Sequence, residues 1–132
     1  MRLTCCLLIL ISNACPAWAW IRLNGIFTDN MVLQTPGPGL PPARIFGLAY
    51  TSEQVVIEGS TAFPGPSITV TPVRSGLQGR WGNWSVDLLT QTDRLTPSVS
   101  QPFSITIRSK QNTSDIITLN NVVFGEVIFC AG

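Results

Sequence analysis

Serine is plentiful in this chain of 132 residues, but the bases that would activate it are scarce: there is no histidine and only one lysine, Lys110. A Ser–His or Cys–His pair therefore cannot form within the chain, and most metal sites lose their commonest ligand. Lys110 lies in the polar run Ser109-Lys110-Gln111-Asn112, where nothing would hold it neutral for a Ser–Lys dyad. Cys130 lies in an apolar run with no base nearby, which disfavours the thiolate that nucleophilic chemistry needs. The remaining local chemistry is that of modification. Asn83-Trp84-Ser85 and Asn112-Thr113-Ser114 are both acceptor patterns for N-linked glycans, and Asn112 is the better placed, in a polar turn between two candidate strands.

Taken alone, composition describes a soluble module and not an enzyme. Only 11% of residues are charged, against about 25% in an ordinary domain. Eight basic residues face seven acidic ones, and no basic run exists to neutralise phosphates, which excludes nucleic-acid binding by counterion release. The start of the chain departs from the rest. Arg2, the apolar run Cys5–Ile11 and the small-x-small ending Ala17-Trp18-Ala19 have the order of a secretory signal peptide. Ser12, Asn13 and Pro16 interrupt the apolar run well short of the roughly 20 residues a membrane anchor needs. Cleavage is expected after Ala19, so that the mature chain begins at Trp20. Cys5, Cys6 and Cys15 leave with the leader, and Cys130 stays behind as a lone cysteine in an oxidising compartment. Its disulfide partner, if it has one, must lie outside this sequence.

The elements that follow residue 19 lack helical periodicity. Short runs rich in Val, Ile, Thr, Phe and Trp are separated by Gly, Pro, Ser and Asn clusters. Strands are expected at Trp20–Phe27, Ala43–Ala49, Gln54–Glu58, Ser67–Val73, Trp81–Leu89, Pro102–Arg108, Asp115–Leu119 and Val122–Ala131. Trp84, Val86 and Leu88 alternate with Asn83, Ser85 and Asp87, and Phe103, Ile105 and Ile107 alternate with Ser104, Thr106 and Arg108. This period of two buries one face and wets the other. The expected fold is all-β, an antiparallel sandwich of immunoglobulin-like or jelly-roll-like kind. Thr35–Pro42, Phe63–Pro66 and Ser75–Gly79 read as loops. The last run differs: Val127 to Ala131 is apolar on both faces, as in the interior of a parallel sheet. Left uncovered, such a strand would favour self-association.

Three stretches together resemble the N-terminal region of the sialate O-acetylesterases. They are Asp29-Asn30-Met31-Val32-Leu33-Gln34; Ala43-Arg44-Ile45-Phe46-Gly47-Leu48-Ala49 with the valine-rich run Gln54–Glu58; and Asn121-Val122-Val123-Phe124-Gly125-Glu126-Val127-Ile128-Phe129-Cys130-Ala131-Gly132. In that family the third stretch leads into Gly-Gln-Ser-Asn-Met, whose serine is the nucleophile of an SGNH-type hydrolase domain. Gly132 matches the opening glycine, which places that serine two positions after Gly132. Phe46 stands where the family commonly has tryptophan, and Ser52-Glu53 replaces a frequent Pro-Gly; these are read as changes of core and loop.

The resemblance implies a division into a leader (1–19), an N-terminal β-sandwich (20–120) and the first strand of a truncated α/β hydrolase domain (121–132). It implies an enzyme of the secretory pathway, lysosomal or secreted, that removes O-acetyl groups from sialic acids by serine-dependent ester hydrolysis. No cofactor or metal, no nucleic acid and no membrane anchor belong to that picture. No catalytic residue can be carried onto this chain, which alone is expected to be inactive. The alternative is a free-standing secreted sandwich that binds carbohydrate or another protein. Its candidate ring is Trp81, just before Gly82, since Trp84 reads as core.

Overall fold

The computed structural model describes residues 20–35, 37, 39–61, 63, 66–74, 79–88 and 101–127. It is an all-β sandwich. The strands are β1 (Ile21–Leu23), β2 (Val32–Gln34), β3 (Arg44–Tyr50), β4 (Val55–Gly59), β5 (Ile68–Val70), β6 (Trp81–Asp87), β7 (Phe103–Ser109) and β8 (Ile116–Gly125). A three-stranded sheet has the order β1-β3-β6, and a five-stranded sheet has the order β2-β8-β7-β4-β5.

Period-two alternation sorts the side chains between core and surface. Trp84 and Val86 of β6, with Leu88 just beyond it, are buried, while Asn83 and Ser85 are exposed. Phe103, Ile105 and Ile107 of β7 are buried against them, together with Ile45 and Ala49 of β3, Val55 and Ile57 of β4 and Leu119 of β8. β-Branched and aromatic side chains suit these positions because they fill a pleated, half-buried surface with little loss of rotamer freedom.

Three features differ from the reading of the sequence. First, the sandwich is not wholly antiparallel. β2, which carries no alternation long enough to reveal it, runs parallel to β8, with Val32 opposite Val123 and Gln34 opposite Gly125. Second, the two strands expected at Asp115–Leu119 and from Val122 onward are one strand. The ladder with β7 passes from Ile105↔Leu119 to Phe103↔Val122, so β8 holds one residue more than its partner over this step. Asn120 and Asn121 are consecutive exposed residues between buried Leu119 and Val122, and Asn121 has a φ of 55°. This is a β-bulge, where the extra residue takes a left-handed conformation that asparagine tolerates. The boundary expected between 120 and 121 thus falls inside β8. Third, Glu53, which falls between two expected strands, is a buried acid, 4% exposed.

Glu53 is buried because the β7–β8 turn closes over it. The Ser109 hydroxyl donates to the Glu53 carboxylate and accepts the N–H groups of Gln111 at 3.1 Å and Asn112 at 2.8 Å. The Lys110 amide donates to the Gln54 carbonyl at 2.8 Å, and Gln111 Oε1 accepts the Gln54 N–H at 2.7 Å. Ser109→Ala would leave a buried carboxylate and two turn amides without this partner. A loss of about 1–3 kcal/mol is expected, read as a lower urea midpoint at unchanged slope. A change under about 0.5 kcal/mol, the size of an ordinary surface substitution, would show that the cluster contributes nothing.

Candidate functional site

The first and third motifs, about 90 residues apart in sequence, lie side by side. The Asp29 carboxylate accepts the Asn120 N–H at 2.6 Å, and the Asn30 N–H donates to the Asn120 carbonyl at 2.9 Å. Asn121 Nδ2 donates to Asn30 Oδ1 at 2.6 Å. The pairing continues through Val123 N–H to the Met31 carbonyl (3.1 Å), Thr35 N–H to the Gly125 carbonyl (2.9 Å) and Val127 N–H to Gln34 Oε1 (3.0 Å). Asn30 and Asn121 both have positive φ, 62° and 55°, which explains asparagine at both positions: it is among the few residues with a side chain that enter this region readily.

The effect of this zipper is positional. It holds the chain from Asn120 to Val127 in register on both sides, between β2 and, for its first part, β7. Val122 and Phe124 are anchored in the core while Val127 is about half exposed. Residues 128–132, with Cys130 and Gly132, follow directly and lie outside the described residues, as does the expected leader 1–19. Asn121→Ala is expected to destabilise by about 1–2 kcal/mol, from an alanine forced into the left-handed region and the lost bond to Asn30. Asn121→Gly, which keeps the backbone conformation at ease, should recover part of the loss in the same thermal or urea titration. Equal stabilities for the two variants would count against the strained-bulge account.

A second candidate is the outer face of the three-stranded sheet. Arg22, Phe46, Leu48, Tyr50, Trp81 and Asn83 share it, as the register of β1, β3 and β6 requires. Phe46, expected in the core, is 36% exposed here, with Phe27 edge-on at 5.1 Å. It borders a groove of about 540 Å³ that also touches Val70, Val73, Asn83 and Ser85. Trp81 has neighbours on its ring. The Arg22 guanidinium sits 4.7 Å above its ring, and Tyr50 meets it at 4.4 Å and 66°, with Trp20 edge-on to Tyr50 in turn. The ring that the alternative reading singled out is half-buried and already engaged by a cation and an aromatic edge. Trp84 is 3% exposed, as its alternation requires.

Two ion pairs lie on the sheet surfaces. Arg44 meets Asp87 in a bidentate contact at 2.6 and 3.1 Å, and Arg108 meets Glu58 at 3.2 and 3.0 Å. Hydrogen bonds from the guanidinium hold Asp87 and Glu58 each below the usual carboxylate value, against a smaller opposing effect of burial. Both carboxylates are thus ionised acceptors at neutral pH, committed to an arginine, and neither is arranged as a general acid. Among the described residues no group of three or more His, Cys, Asp or Glu is placed to hold a metal ion.

The two sequons differ in setting. Asn83 lies exposed in β6 with Ser85 on the same face. Asn112 is half-buried in the β7–β8 turn, where its Oδ1 accepts the Ser114 N–H at 3.3 Å. The sequence offered no sign of the Asn30–Asn121 contact or of the Glu53–Ser109 cluster, beyond the presence of asparagines at strand ends.

No protein-family model matches the chain, and no curated protein matches it. Among solved structures it is similar to a carbohydrate acetylesterase from Xanthomonas citri, with a TM-score of 0.53 and 16% identity over 80% of this chain. The chain spans 19% of the length of that structure. What the two share is the fold of a β-sandwich.

Proposed function

We propose that this chain is the N-terminal β-sandwich of a secreted or lysosomal esterase similar to the sialate O-acetylesterases, and that its task is to support the strand that leads to the nucleophile. The observation that carries this reading is the zipper of Asp29–Gln34 against Asn120–Val127, because it joins two of the motifs on which the resemblance rests. The likeness of fold to a carbohydrate acetylesterase supports the same class of chemistry. In such a reaction a serine attacks the acetyl carbonyl, a histidine takes the serine proton, and backbone and side-chain donors stabilise the oxyanion. This chain contributes none of those groups. Its part is to hold the chain up to Val127 in a fixed register, since misplacement by about 1 Å can cost on the order of 100-fold in rate.

The test is a comparison of this chain with one continued by whatever the reading frame encodes after Gly132. This chain alone should release no acetate from O-acetylated sialic acid above background. The continued chain should contain Gly-Gln-Ser-Asn-Met, should hydrolyse the ester, and should lose activity when that serine becomes alanine. A continuation without the motif, or turnover that survives loss of the serine, would overturn the assignment. Passage through the secretory pathway should add an N-glycosidase-sensitive mass at Asn112, absent in Asn112→Gln, with Asn83 as the second acceptor.

A further inference from the structure

The first strand of the sandwich begins on a carboxylate. The backbone nitrogens of Trp20 and Ile21 lie 2.6 and 2.8 Å from the same oxygen, Asp115 Oδ2. A backbone N–H is ordinarily satisfied by a neutral carbonyl, and 2.6 Å is at the short end even for a charge-assisted contact. The surroundings hold Trp20 from its other sides. Its carbonyl accepts the Tyr50 N–H at 3.1 Å, its ring stands edge-on to Tyr50 at 5.0 Å, and Ile21, paired with Ala49, is 1% exposed. Asp115 itself is fixed by the β7–β8 turn, through its N–H to the Asn112 carbonyl at 3.0 Å and its carbonyl to the Ser109 N–H at 3.1 Å.

Trp20 is also the residue that removal of the leader after Ala19 would make the first. We propose that Asp115 is the counter-ion of the processed N-terminus. Hydrolysis of the Ala19–Trp20 peptide bond by an endoprotease of the secretory pathway consumes one water, leaves a carboxylate on Ala19 and a protonated amine on Trp20. That ammonium forms where the amide already was, 2.6 Å from the carboxylate, and a hydrogen bond from a neutral donor becomes an ion pair. The pair fastens β1 of the three-stranded sheet to the β7–β8 turn of the five-stranded one, so processing adds a lock between the two sheets. The inference rests on cleavage after Ala19 and is independent of the esterase reading.

The single lysine makes a clean test. A protein starting at Trp20 has two amines, the α-amine and the side chain of exposed Lys110. An unpartnered α-amine loses its proton roughly two pH units below a lysine side chain and is acylated first at neutral pH. The chain is expressed with its leader in a secretory cell line, the product's first residue is determined, and it is treated with limiting acetylating reagent at pH 7. Peptide mass spectrometry should find Trp20 as the first residue and Lys110 acetylated ahead of it. Asp115→Asn, which keeps an acceptor for the Ile21 N–H but no charge, should reverse the order. Should Asp115→Asn fail to fold, wild-type protein forced to full acetylation at Trp20 should melt several degrees below protein acetylated at Lys110 alone. A secreted product beginning elsewhere than Trp20 overturns the proposal, as does α-amine labelling that comes first in wild type, or a melting temperature indifferent to the state of the Trp20 amine.

Discussion

Phe103→Ala is expected to remove about 3–5 kcal/mol of stability, a large share of the roughly 5–15 kcal/mol that holds a domain together. Phe103 is 3% exposed at the start of β7 and is the middle of three aromatic rings. Phe124 of β8 lies stacked on it at 5.1 Å, and Phe63, from the loop after β4, meets it at 5.3 Å. Truncation would open a cavity among rings that come from three separated parts of the chain, and none can close it without leaving its own contacts. The neighbouring bulge adds to the cost, because Val122, opposite Phe103, is fully buried and lies directly after Asn121. Urea titration of Phe103→Ala, Phe63→Ala and the double variant should give a coupling of about 0.5–1.5 kcal/mol between the two rings. A single-variant loss below about 1 kcal/mol would mean that the trio is not a packed unit.

Gly47→Ala should be comparably damaging, at about 3 kcal/mol or more, the upper end of overpacking losses. A Cβ on Gly47 would stand 2.0 Å from the Arg22 carbonyl oxygen and 2.9 Å from Trp84 Cζ2. Trp84 is the cross-strand partner of Gly47, and its indole occupies the space a side chain would fill. The indole end can shift by a few tenths of an ångström, but the Arg22 carbonyl belongs to the backbone of β1 and can only move with the strand. The substitution should therefore displace β1, with chemical-shift changes concentrated at Trp20–Leu23 and Tyr50 and little change at β4–β5. Alanine accepted within about 0.5 kcal/mol, with those resonances unmoved, would show that β1 is not packed as closely as the structure has it.

Position 47 also shows where sequence reading stops. A glycine inside an apolar run marks close approach of something, but the run does not say of what. The same holds at Asn120-Asn121, where two polar residues interrupt a β-pattern. A turn and a bulge leave the same local trace, and only the ladder to β7 distinguishes them. Phe46 followed the same logic in reverse: an aromatic residue in a strand reads as core, yet register places it outward beside Phe27. Trp81 was legible as a residue outside the core, but not as one already engaged by Arg22 and Tyr50. The burial of Glu53 left no local trace because its partner, Ser109, is 56 residues away.

By itself the sequence determined the class of fold, the alternation that sends Trp84, Val86, Phe103, Ile105 and Ile107 inward, and the absence of any histidine-based catalytic pair. These are properties of residue type and of spacing along one strand, where the pleat gives a strict period of two. Tertiary structure alone decided which strands are neighbours. β2 is three residues long and has no pattern of its own, yet it joins β8 in parallel and brings Asn30 to Asn121. It also decided that Asp115 receives the nitrogens of Trp20 and Ile21 across 95 and 94 residues. Contacts of that span depend on the summed burial of the whole core, which outweighs the closure entropy of the intervening chain, and no local run of residues carries a record of them.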